Sequence, residues 1–308
     1  MDGRVMVFAP SPLLTVTVED LGGEPDLHLH AGGQGVWQAR MIASLGVPVA
    51  LCAALGGEVG QVLRHLLGEN GIEHVQAPVT ARNGAYVHDR RSEERQEIAD
   101  VPGDPLSRHE LDAVYETALL QGIRSTVSIL SGPSDRRTVP AEVYRRLAAD
   151  LRSNGCVVVA DLAGERLNAV LEGGLDLVKV SHEELLDDGR ADSEDAEALV
   201  RGMRSLRDEG AETVVLSRAD DPALILAEGE VWEAHMPRLH PVDPRGAGDS
   251  MTGAIAAELA VGTPLKDAIK VGAAAGALNV TRHGLGSSSG PGVRELAELV
   301  ELRSWGGP

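Results

Sequence analysis

The chain has 308 residues, 43% of them hydrophobic but only 2% aromatic, enough for one large α/β domain or two modest ones with a core built from Ala, Val and Leu. Its formal net charge of −19 argues against nucleic acid or an anionic membrane surface as a partner, and means that any phosphate site has to be built locally. Cys52 and Cys156 lie in apolar runs with no metal-ligand spacing and read as reduced core residues of a cytoplasmic protein; no apolar run is long enough to span a membrane and no signal peptide is visible.

In chain order, the apolar run over 4–9 predicts a buried strand ending at Pro10. Residues 13–30 alternate, as in Leu14-Thr15-Val16-Thr17-Val18 and Asp26-Leu27-His28-Leu29-His30, which is the period of half-exposed strands. A second alternating stretch over 84–89 is followed by a charged turn at 90–95 and a return strand at 96–99. Between these excursions the pattern predicts a helix over 34–45, a strand over 47–54, a helix over 60–70 and a strand over 74–77. Beyond them come helix 108–122, strand 127–130, helix 141–154, strands 157–161 and 175–180, helix 193–209 and strand 213–217. Apolar strands alternating with helices imply a parallel sheet covered on both faces, with ligands beyond the strand C-terminal ends. Ser131, Asp161, Lys179, Ser181 and Ser217 all fall at such ends, which points to one shared site. No repeat or low-complexity linker interrupts the chain, so it reads as one domain over 1–308 with 13–31 and 84–101 as a small inserted unit.

Asp243-Pro244-Arg245-Gly246-Ala247-Gly248-Asp249 is followed by a segment in which Met251, Ile255 and Leu259 recur at helical spacing. The glycines therefore stand at a helix N-terminus, where free N–H groups and the helix dipole favour an anion and the missing side chains let the backbone approach it. A carboxylate there is a poor choice for binding alone, because like charges repel. Asp249 suits a base that takes a proton from a hydroxyl, while the N–H groups of Gly246, Ala247 and Gly248 stabilise a phosphoryl group in transfer. The plain alternative is that Asp249 caps the helix and the glycines form a turn.

Gly-Ala-Gly-Asp before an Ala-rich helix resembles one signature of the ribokinase-like, PfkB-type carbohydrate kinases. Ala31-Gly32-Gly33-Gln34-Gly35-Val36-Trp37-Gln38-Ala39-Arg40, followed by Ala43-Ser44-Leu45-Gly46, resembles their other signature, Gly-Gly-Lys-Gly-x-Asn before a helix and a Leu-Gly. The similarity runs over nearly the whole chain and points to the 1-phosphofructokinase and tagatose-6-phosphate kinase branch. It implies a three-layer α/β/α sandwich with a mostly parallel central sheet and a small β-sheet lid. It further implies ATP and Mg²⁺ as cofactors, a sugar or phosphosugar as substrate and a homodimer formed through the lid. Lys179-Val180-Ser181-His182-Glu183-Glu184-Leu185 resembles the family's Lys-Pro-Asn-x-x-Glu-Leu, which implies that Glu184 organises waters around Mg²⁺, that Ser181 stands for the Asn beside the nucleotide, and that Lys179 faces a phosphate. Ser181 and Glu184 also have the spacing of a capping box. Ser217-Arg218-Ala219-Asp220-Asp221-Pro222 stands where the family has Ser-x-Gly-x-x-Gly against ATP, and the small-residue helix ending at Asn279, with Gly284 after it, falls on the adenine side.

Substrate recognition departs from the family pattern. Its Asn-Pro-Ala-x-Asp is Ser11-Pro12-Leu13-Leu14-Thr15 here, so Thr15 replaces the carboxylate that grips sugar hydroxyls. Gln34 replaces the lysine that contacts the substrate's phosphate, and Trp37 replaces the asparagine; Gly32 and Gly33 are retained. Losing a charged partner of a buried polar ligand is typically worth ~2–5 kcal/mol. Arg82, Arg90, Arg91 and Arg95 near the lid, Arg136 and Arg137 after Ser131-Gly132-Pro133, and Arg245 in the anion loop are candidates to compensate, or else they are solvated surface. Trp37 either stacks on a sugar or base face or fills core. Three functions compete: an ATP-dependent sugar or phosphosugar kinase, a kinase for a non-phosphorylated acceptor such as a nucleoside or small polar metabolite, and a non-catalytic ligand-binding protein on a kinase fold.

Overall fold

A computed structural model describes residues 3–69, 72–92, 96–133, 137–237, 239–282 and 286–307. Arg95, Arg136 and Gly284, each a candidate from the sequence, lie outside the described residues. In chain order the elements are β1 (Val5–Phe8), β2 (Leu13–Leu21), β3 (Glu24–Gly32), α1 (Gln34–Ser44), β4 (Val49–Ala54), α2 (Gly57–Glu69), β5 (Glu73–Ala77), β6 (Ala85–Asp89) and β7 (Gln96–Val101). Then follow α3 (Arg108–Ile123), β8 (Val127–Ser131), α4 (Ala141–Ser153), β9 (Val157–Asp161), α5 (Gly164–Gly173), β10 (Leu175–Ser181), α6 (His182–Asp187), α7 (Ala196–Asp208) and β11 (Ala211–Arg218). The last are β12 (Asp221–Ala227), β13 (Glu230–His235), α8 (Ala247–Ala260), α9 (Leu265–Asn279), α10 (Gly290–Ala297) and β14 (Glu301–Ser304).

Ten strands form one sheet in the order β14-β13-β12-β11-β10-β9-β8-β1-β4-β5. The seven strands from β11 to β5 are parallel, and β12, β13 and β14 extend the sheet antiparallel. Successive strand side chains point to opposite faces. On β1, Val5 and Val7 therefore pack with α1, α8 and α9, whereas Met6 and Phe8 pack with α3, α4 and α5 on the other face. The apolar layers lock the strands in register, and that register sets the site.

The two alternating excursions form a separate four-stranded sheet in the order β3-β2-β6-β7, with β2 and β6 parallel and the two hairpins antiparallel. Its base is anchored in the core by Leu14 and Ala31. Among the described residues, no helix is long and apolar enough to cross a membrane.

The sequence pattern left α5, α6, α10 and β12–β14 without an assignment. Edge strand β14 carries Glu301 and Arg303 in solvent, so it lacks the apolar run that marks the inner strands. Helix α7 starts at Ala196 rather than at 193, because the turn before it is spent on Ser193, whose hydroxyl donates to Asp195.

Phe8 is the chain's single phenylalanine, fully buried, with its ring edge-on to Tyr144 at 5.4 Å between centroids. Phe8→Ala is expected to cost about 3–5 kcal/mol of stability, to be read from the urea midpoint at unchanged slope. A loss under about 1 kcal/mol would mean that the surrounding layer collapses into the space.

Candidate functional site

The parallel register lines up the ends of three strands. Ser131 of β8 is opposite Asp161 of β9, which is opposite Lys179 of β10; on the next pair Ser181 is opposite Ser217. Each of these side chains follows an apolar run that the sheet buries, so Ser131, Asp161 and Lys179 are carried into the interior with it.

Helix α8 closes this row from above. Almost every one of its residues is buried, because it is wedged between the sheet, α1 and α9; a helix apolar on all sides belongs in such a place. Its N-cap is Gly246, with φ 72°, a left-handed conformation that glycine adopts at little cost. Gly248 is required for a different reason: a Cβ there would collide with the Lys179 ammonium. The N-terminal amides of α8 and the Lys179 charge are thereby brought together.

The charges at this point are unbalanced. Lys179 Nζ lies 3.5 Å from Asp161 Oδ1, and both residues are buried. Asp161 is held on its other oxygen by Gln38 Nε2 at 3.2 Å and Thr252 Oγ1 at 2.8 Å. Gln38 in turn accepts from Ser131 Oγ, and Tyr144 donates to the Ser131 carbonyl at 3.0 Å. Burial works against the Lys179 charge, but Asp161, Glu184 and Asp249 together outweigh it and hold its pKa above the ordinary value. Asp249, buried in the first turn of α8, is pushed well above the ordinary carboxylate range by burial and then by Asp161 and Glu184. Lys179 and a hydrogen bond with Gln34 oppose that shift.

Gln34, at the start of α1, also accepts from the Gly132 amide at 3.0 Å, so it ties the strand end to Asp249. Glu184 and Ser181 form the capping box of α6: Ser181 N donates to Glu184 Oε2 at 2.7 Å, and Glu184 N donates to Ser181 Oγ at 3.2 Å.

Other candidates are placed differently. Asn279 is fully buried beneath the loop, where its amide donates to the Arg245 carbonyl at 2.7 Å and its oxygen accepts from Ser250 Oγ at 3.1 Å and Gly286 N at 3.0 Å. Its hydrogen-bonding groups face inward and brace the loop from below. Arg245 is turned onto Asp243, with Nε 2.8 Å from Oδ1. Arg82 is exposed and paired with Asp104 at 2.9 Å. Ala219 keeps a left-handed backbone at φ 47° without a glycine, so the tight turn between β11 and β12 survives the substitution. Thr15 lies on the small sheet with its hydroxyl against Gly32, next to Gly33 at the entry to α1. Trp37 is half-buried, and Gly286, at φ 63°, packs on its backbone. Asp161, Gln38 and Thr252 are the members of this network that sequence motifs left without a role; only the polar end of an apolar strand marked Asp161.

Arranged in this way, the site presents helix amides and one ammonium to an anion, with a hard-to-ionise carboxylate beside them. The family model described as pfkB family carbohydrate kinase matches residues 12–290. The chain is 26% identical over 259 residues to the 1-phosphofructokinase of Bacillus subtilis, covering 84% of each chain. It superposes on the phosphofructokinase-2 of Escherichia coli in complex with fructose-6-phosphate with a TM-score of 0.79 at 25% identity, over 96% of this chain and 98% of that one. The ribokinase of Arabidopsis thaliana complexed with ribose and ATP gives a TM-score of 0.74 at 20% identity, over 97% and 99%, and shares the fold.

The raised Asp249 pKa has a consequence for stability. The folded chain holds this proton more tightly than the unfolded chain, so the stabilisation is complete below the model-compound value of 3.8 and is lost as pH rises through the folded-state value. Asp249→Asn escapes that loss. Its melting temperature relative to wild type is expected to rise in a calorimetric series as the pH is taken upward from the ordinary carboxylate range. A difference that stayed flat would show an ordinary carboxylate.

Proposed function

We propose that this chain, which belongs to the pfkB family of carbohydrate kinases, transfers the terminal phosphoryl group of ATP to a hydroxyl of a sugar or phosphosugar. It is a carbohydrate kinase by family; the acceptor and the roles of individual residues are our reading. The observation that carries the reading is the buried Asp249 in the first turn of α8, beside the amides of Gly246, Ala247 and Gly248 and within the field of Lys179. Asp249 takes the proton from the acceptor hydroxyl, and its raised pKa brings it toward the range where a general base works near neutral pH. The loop amides and the positive end of α8 stabilise the charge on the phosphoryl group in flight, with Lys179 beneath them.

The donor set fits a hydrated magnesium ion: Glu184, Asp161 and Asp249 outnumber Lys179, and no cluster of three metal-ligating side chains stands among the described residues. When bound, Mg²⁺ supplies positive charge to the polyphosphate, and Glu184 would hold it through water. Thr15, Gly32 and Gly33 frame the acceptor, and Ser181, Ser217 and Ala219 the nucleotide. Leu27, Leu29 and Val101 share one face of the small sheet and are more than two-fifths exposed, which supports this sheet as a lid that pairs with a second copy. Cys52 and Cys156 are free and buried, and burial pushes the Cys52 thiol up to about 12, in keeping with a reducing cytoplasm.

One observation favours an uncharged acceptor. Gln34, at the position of the family's phosphate-contacting lysine, is neutral and engaged with Gly132 and Asp249.

The test is Mg²⁺-dependent ATP consumption against fructose 1-phosphate, fructose 6-phosphate, tagatose 6-phosphate, free hexoses, ribose and nucleosides. Turnover is expected on a sugar or sugar phosphate, and Asp249→Asn is expected to lower kcat by at least about 10²-fold with nucleotide affinity retained. Silence across the panel, with no ATP binding by calorimetry, would overturn the kinase assignment of the site. Full activity of the variant would remove Asp249 as base.

A further inference from the structure

A buried amide side chain is costly unless both of its ends find partners. Gln38 is fully buried on α1, where the other buried side chains are apolar: Val36, Ala39, Met41 and Ile42. Helix α8 comes close at this point. A Cβ at Gly253 would stand 2.7 Å from the Gln38 carbonyl oxygen, so the approach needs glycine.

Both ends of the Gln38 amide are engaged. Ser131 Oγ donates to its Oε1, and its Nε2 donates to Asp161 Oδ2 at 3.2 Å. An ionised carboxylate only accepts, so the amide nitrogen has to be the end that faces Asp161. One turn earlier on the same face of α1, Gln34 accepts from the Gly132 amide at 3.0 Å, so the helix grips the end of β8 twice.

The consequence falls on Lys179. Thr252 Oγ1 donates to the same Asp161 Oδ2 at 2.8 Å. Oδ1 accepts no hydrogen bond and faces the Lys179 ammonium across 3.5 Å, whereas a tight bond of this kind is about 2.7–2.9 Å long. Two neutral donors on Oδ2 therefore leave one carboxylate oxygen for the ammonium, and at arm's length. The ammonium stays against the underside of the loop, where a Cβ at Gly248 would collide with it. Without the Gln38 amide, Thr252 alone would hold Oδ2, and the carboxylate could turn and draw the ammonium down from the loop.

We propose that Gln38 is a positioning residue for phosphoryl transfer: its amide holds Asp161 in the orientation that keeps Lys179 beneath the amides of Gly246, Ala247 and Gly248. This rests on the phosphoryl-transfer reading above and deepens it.

The test compares Gln38→Met, which keeps the length but donates nothing, with Gln38→Glu, whose carboxyl can donate to Asp161 only while it carries a proton. Two readouts are followed against pH on the full chain: kcat and KM on the best acceptor of the panel, and the ε-carbon NMR signal of Lys179 in lysine-labelled protein. The chain's lysines are Lys179, Lys266 and Lys270, so that signal is followed among three. Gln38→Met is expected to lower kcat at least about tenfold with the KM for ATP and for acceptor within about twofold of wild type. Gln38→Glu is expected to approach the wild-type kcat as pH falls and to lose it as pH rises, with the Lys179 signal departing from wild type over the same range. Glu184 and Asp249 also act on Lys179, but they are present in every protein compared, so the ratio to wild type isolates the added carboxyl. The proposal is overturned if Gln38→Met keeps full kcat or changes kcat and KM together. It is also overturned if the ratio of Gln38→Glu to wild type is the same at every pH, or if the Lys179 signal is identical in all three proteins. Should Gln38→Met fail to fold, Gln38→Glu decides. Absence of wild-type turnover on every acceptor would count against phosphoryl transfer, whereas the Lys179 signal would still report whether Gln38 sets its position.

Discussion

The buried ion pair between Lys179 and Asp161 is the interaction on which the site depends. A single ammonium stands among three carboxylates, and it touches the underside of the glycine loop at Gly248. Desolvating two charges is costly, and their attraction repays it only when the geometry is good and the remaining lone pairs are satisfied. Here the second Asp161 oxygen is satisfied by Gln38 and Thr252, from the two helices that pack against each other over the sheet. The pair is therefore held by the same contacts that close the core, and the charge under the anion loop is as rigid as the layers around it.

That rigidity bears on catalysis by position. Phosphoryl transfer asks a protein for alignment and fixed charge more than for covalent chemistry. Helix α8 supplies both: its first turn presents amides and a carboxylate, and its body is buried on nearly every side, so the turn has little room to shift. The loop before it is braced from below by Asn279 and by the amides of Val242 and Asp243, both on the Val280 carbonyl. The destabilised state of Asp249 follows from this crowding: the fold keeps a carboxylate where burial and its neighbours disfavour ionisation.

The acceptor side is built by a different logic. The large sheet supplies fixed strand ends, whereas the small sheet reaches over them with a row of polar and aromatic side chains, Tyr86, Thr15 and His30. Thr15 and Gln34, which differ from the family pattern, both sit on this side, while the Gly246–Asp249 run is unchanged.

Much of this was legible in the chain itself. Strand alternation and apolar runs mark the two sheets' inner strands, because a period of two suits a half-exposed strand and a short continuous apolar run a buried one. The glycines ahead of the α8 pattern mark a helix N-terminus, and Asp249, Lys179 and Ser131 stood out by position at element ends. The exposed edge strand β14 left no such signal, because Glu301 and Arg303 face solvent. What only the tertiary structure decided is pairing. Arg82 and Lys179 look alike in sequence as basic residues near candidate loops, yet Arg82 meets Asp104 at the surface and Lys179 meets the buried Asp161. Asn279 likewise turns inward to brace a loop. Periodicity is a local property that neighbouring residues express, whereas the partner of a charge depends on side chains brought close from distant parts of the chain, which only folding specifies.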